Sequence, residues 1–64
     1  VTDEQINEFR TWLENHISIN NAVSQNPNIS KDIRVFRLGG ALALEVALKE
    51  FNRVFTSEDK NEGA

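Results

Sequence analysis

Apolar residues return every three or four positions along the first part of the chain: Ile6, Phe9, Leu13 and Ile17, with His16 at their edge. At about 100° per residue these positions share one face of a helix. Thr2-Asp3-Glu4-Gln5 gives that helix its start. The threonine hydroxyl accepts an orphan backbone N–H, the glutamine reaches back to the Thr2 backbone, and the two carboxylates sit where the helix dipole favours negative charge. The helix should end between Ser18 and Gln25, because Pro27 forces the residue before it out of the helical region.

Ser30 has the chemistry of the next N-cap, with Asp32 in the first turn. Ile33, Phe36, Gly40, Leu44, Ala47, Phe51 and Val54 then keep helical spacing straight across Gly39-Gly40. Two glycines cost about 2 kcal/mol relative to alanines inside a helix. The pair therefore marks either a break or a weak point, and the unbroken spacing favours one long, bent helix. A short strand over Asp32–Leu38 ahead of a helix is the weaker alternative. Beyond Phe55 the chain turns polar and uncapped, so residues 57–64 are expected to form a disordered tail and 1–56 a single module. The fold class is all-α: a helical hairpin whose first stripe on the second helix packs against Ile6, Phe9, Leu13 and Ile17.

The second helix carries a further apolar stripe, Val35, Leu38, Leu42 and Val46, on nearly the opposite side. A two-helix hairpin covers one stripe only. Leaving four large aliphatic side chains in water forgoes about 1.5–3 kcal/mol each and makes the kind of apolar patch that marks an interface. Trp12, Ile19 and Val23 lie beside the main stripe of the first helix, and tryptophan is enriched at interface centres. Trp12, Val35, Leu38, Leu42 and Val46 are thus the expected dimer interface, with two hairpins joining as a four-helix dimer. Gly39, Ala43 and Ala47, four apart, would let a neighbouring backbone come close, although ordinary hairpin packing accounts for them equally well.

Composition points the same way. A chain of 64 residues buries only about 60% of the surface its unfolded form exposes, and small domains usually add disulfides, a metal or oligomerisation. With no cysteine and one histidine, neither disulfides nor a structural zinc site can be built, which leaves oligomerisation. No cofactor or metal is expected. The acidic residues Asp3, Glu4, Glu8 and Glu14 suit the helix start and a solvated face better than a cation site. No apolar run approaches the roughly 20 residues of a membrane span, and the lack of cysteine fits a reducing cytoplasm.

No nucleophile elbow, phosphate loop or zinc-protease helix is present, so no catalytic residues are assigned and the chain is not expected to be an enzyme. His16 has no second histidine, cysteine or paired carboxylate to work with. Lys31, Arg34 and Arg37 do cluster beside the turn, and a symmetric dimer would present the cluster twice, as small dimeric DNA regulators do. Against nucleic acid stand the net charge of −3 and pI of about 4.9. The leading expectation is a small dimeric helical module that interacts with another protein. The alternatives are a nucleic-acid-binding regulator that uses Lys31, Arg34 and Arg37, and the dimerisation domain of a longer chain.

Overall fold

The computed structural model describes the backbone of residues 1–63 and the side chains of residues 1–55. Two helices, α1 (Asp3–Ser24) and α2 (Lys31–Gly63), pack against each other as a hairpin. The tail expected over 57–64 and the module boundary at 56 fall outside the residues described in full.

Each end of the hairpin follows from local chemistry. The Gln5 N–H donates to Thr2 Oγ1 at 3.1 Å, and the Thr2 N–H donates to Gln5 Oε1 at 2.9 Å, closing the capping box. At the other end of α1 the Ser24 hydroxyl donates to the Asn21 carbonyl at 2.7 Å, a local bond of the type that competes with helix continuation. The Asn28 N–H then donates to Asn26 Oδ1 at 2.9 Å, an Asx turn around Pro27. Ser30 precedes α2, and its carbonyl accepts the first helical bond, from the Arg34 N–H at 3.0 Å. Residues 32–38 are helical rather than a strand, and α2 runs through Gly39-Gly40 without a break. No described residue has a positive φ.

The seam between the helices differs from the one that spacing predicts. Leu13 and Ala41, 3% and 1% exposed, form its centre; Ile6, Ile17, Leu44, Leu48 and Phe51 flank them half-buried. Ile33 and Phe36, expected to face α1, are exposed, Phe36 to 76%. Ala47, Val54 and Phe9 are exposed as well. At about 100° per residue, α2 is turned by roughly 70° from the expected stripe.

Polar pairing and small side chains account for the turn. Arg10 Nε donates to Asn52 Oδ1 at 2.9 Å and Arg37 Nη1 to Asn20 Oδ1 at 3.0 Å, and both bonds cross the seam. The Asn20 side chain lies against Gly40 so closely that a Cβ there would sit 3.2 Å from its amide nitrogen. Only a face with Gly40 and Ala41 at its middle admits that approach.

Because Leu13 is the one large side chain buried in the seam among the described residues, Leu13→Ala is expected to cost about 2–5 kcal/mol. That is enough to abolish the helical circular-dichroism signal at 25 °C in so small a fold. A loss under about 1 kcal/mol in urea titration would mean that the hairpin's stability resides elsewhere.

Candidate interaction surface

The surface of α2 that looks away from α1 has an unusual composition. From Ile33 to Leu48 only Arg34, Arg37 and Glu45 are charged or polar. On a helical wheel these three fall within about 80° of one another, centred on the position of Ala41, which is the most buried residue of the seam. Every other direction around this stretch is apolar. Val35 (60% exposed), Leu38 (45%), Leu42 (54%) and Val46 (69%) form an outer ridge. Ile33 and Phe36 are exposed across the helix from that ridge. A helix hydrophobic nearly all round belongs inside a protein, yet here most of its circumference is open.

Gly39 lies on this outer side. A Cβ built there would meet nothing within 4 Å, and its φ is not positive. Neither turn geometry nor packing within the hairpin therefore requires a glycine at this position.

A second group of exposed apolar residues lies on the flank where α1 and the later part of α2 meet. Phe9 stacks on Trp12 with ring centroids 5.9 Å apart and planes 9° from parallel. Trp12 in turn stacks on His16 at 3.9 Å. Phe9 also meets Phe51 at 5.4 Å, and Phe51 meets Phe55 at 4.6 Å. The Arg10 guanidinium lies over the Phe51 ring, 5.4 Å from its centroid. In the tautomer with its proton on Nδ1, His16 donates to the Trp12 carbonyl at 2.9 Å, which fixes the ring over the indole. Val1, Gln5, Glu8, Phe9 and Trp12 line a shallow groove at this end.

The five residues expected to form one interface are thus divided. Val35, Leu38, Leu42 and Val46 share the outer ridge of α2. Trp12 belongs to the flank fixed by the Phe9–Phe51 contact, whereas the Arg10–Asn52 bond marks the opposite edge of the seam, nearer the ridge. The basic cluster is partly engaged: Arg37 is held by Asn20, Arg34 is half-buried with a buried Nε that has no hydrogen-bond partner, and Lys31 is exposed. Lys31 and Arg34 line a second groove with Ser24, Val35 and Leu38, so the cluster borders the ridge. Farther along, the exposed pair Glu50–Arg53 is bonded, and the Arg53 hydrogen bond holds the Glu50 carboxyl below its ordinary range. The contribution of that pair is present above the usual carboxylate range and is lost as pH falls through the lowered value; full exposure keeps it negligible.

Among the described residues no group of three or more potential ligands could hold a metal ion, and no helix is long and apolar enough to cross a membrane. Known family models, known proteins and solved structures give no match to the chain. What the fold and surface define is a helical hairpin with a thin seam and uncovered apolar sides.

The division of the five residues has a direct readout, since Trp12 is the single tryptophan. In folded protein at high concentration, acrylamide should quench Trp12 as it does a half-exposed indole, and Trp12→Ala should leave the mass in solution unchanged. An indole shielded from the quencher would place Trp12 in the same interface as the ridge.

Proposed function

We propose that this chain is a protein-interaction module that acts by self-association, with the outer ridge of α2 seated on a second copy, and that it works by binding rather than catalysis in the reducing cytoplasm. The observation that carries the reading is the charge placement on α2. Arg34, Arg37 and Glu45 cluster on the side of α1, and Val35, Leu38, Leu42 and Val46 are left facing water. Single apolar side chains on a surface need no explanation. A continuous ridge with no charge along it does. Covering the ridge gives α2 the surroundings its composition asks for, and gives a chain with so small a seam the added burial that short domains require.

Nucleic-acid binding through Lys31, Arg34 and Arg37 has less support. Counterion release requires side chains free to meet phosphates, and Arg37 is already bonded to Asn20 while Arg34 is half-buried.

Sedimentation equilibrium with circular dichroism on the same samples tests the reading. The expected result is a dimer that loses helix as it dissociates on dilution. Leu42→Glu is expected to raise the dissociation constant at least about 100-fold, since burying an unpaired carboxylate costs several kcal/mol. A monomer with full helicity at every concentration, or a Leu42→Glu variant that keeps both mass and stability, overturns the reading.

A further inference from the structure

The ridge contains its own partner's shape. Val35, Gly39, Leu42 and Val46 follow one another at intervals of four, three and four residues, a series that reads the same from either end. Laid against a second copy running in the opposite direction, Val35 meets Val46, Val46 meets Val35, and each Leu42 meets a Gly39. Large then faces small, as close packing between helices requires. Laid parallel, Leu42 would face Leu42 and Gly39 would face Gly39, with crowding at one level and a gap at the next.

Resting on the self-association reading above, we propose that two copies pair antiparallel along α2, with Leu42 of each seated over Gly39 of the other. Gly39 carries the argument because the hairpin gives it no purpose: the place of its Cβ is empty, its φ is not positive, and inside a helix glycine costs about 1 kcal/mol relative to alanine. A helix crossing close to the backbone at that point supplies one.

Charge agrees with a second copy as the occupant, and the area sets the strength of the pair. The side chains of Val35, Leu38, Leu42 and Val46 are all substantially exposed. At about 100 Å² each they offer on the order of 400 Å² per copy, which places the pair among small, concentration-dependent interfaces. The antiparallel register sends the two basic loop ends to opposite ends of the assembly, each toward the end at which Asp3, Glu4 and Glu8 lie. A parallel pair would bring the two basic clusters together.

The chain has no cysteine, so single cysteines report the register. Under mild oxidation an equimolar mixture of Val35→Cys and Val46→Cys is expected to cross-link at least about tenfold faster than either variant alone. Equally rapid cross-linking of each variant with itself would establish a parallel pair and overturn the antiparallel register. A dimer by sedimentation that cross-links in no combination would overturn the ridge as the contact surface. A monomer by sedimentation would remove the underlying reading itself. Gly39→Ala adds a test free of folding defects, because alanine is the better helix former. Its dissociation constant is expected to rise about tenfold or more, and an unchanged or lower value would overturn the seating of Leu42 on Gly39.

Discussion

The hairpin depends on the burial of Leu13 and Ala41, one residue from each helix at separate levels of the seam. Around them the two helices meet through half-buried side chains and two cross-seam hydrogen bonds, Arg10 to Asn52 and Arg37 to Asn20. One large buried aliphatic supplies about 1.5–3 kcal/mol, whereas fixing the backbone costs about 1–2 kcal/mol for every residue ordered. The seam sets the shape of the hairpin with little burial of its own, and the large exposed side chains on its other sides have to be read together with that thinness.

Direction distinguishes the polar bonds from the apolar contacts. Aliphatic surfaces tolerate rotation of one helix against another, because burial is non-directional. A guanidinium bonded to an amide oxygen does not, because the bond weakens steeply away from linearity. Arg37 on Asn20 and Arg10 on Asn52 therefore fix which sector of α2 meets α1, and that sector is the one that contains Arg34, Arg37 and Glu45. Once the charged sector is turned inward, the apolar ridge is necessarily turned out.

Local features of the fold were legible in the sequence because local chemistry makes them. The capping box at Thr2, the stop at Pro27 and the start after Ser30 each rest on residues a few positions apart. The seam was not legible, for a physical reason. Where a helix is apolar in nearly every direction, periodicity offers several overlapping stripes and no means of choosing among them. The choice was made by Asn20 against Gly40 and by Arg10 with Asn52, pairs distant in sequence, and it brought in Ala41 and Leu48, which no count of large residues at helical spacing had favoured. For the candidate surface, the sequence reaches only as far as one helix. Val35, Leu38, Leu42 and Val46 share one ridge because they share one helix. Trp12 was grouped with them from the wheel of α1, which cannot say which edge of the seam lies beside which face of α2.

Gly39 and Gly40 look alike in the sequence and differ in the structure. Gly40 answers to a neighbour inside the hairpin, since the Asn20 side chain occupies the space a Cβ would need. Gly39, one residue and about 100° farther round the helix, has open space where a Cβ would be. If the hairpin were the whole of the functional structure, alanine at 39 would fit without strain and favour the helix, and the outward face of α2 would be a place for charge. Glycine stands there instead, amid valine and leucine. Both departures have one physical cause if a second helix crosses that face at close range, since such a helix needs low backbone bulk beneath it and apolar side chains on either side.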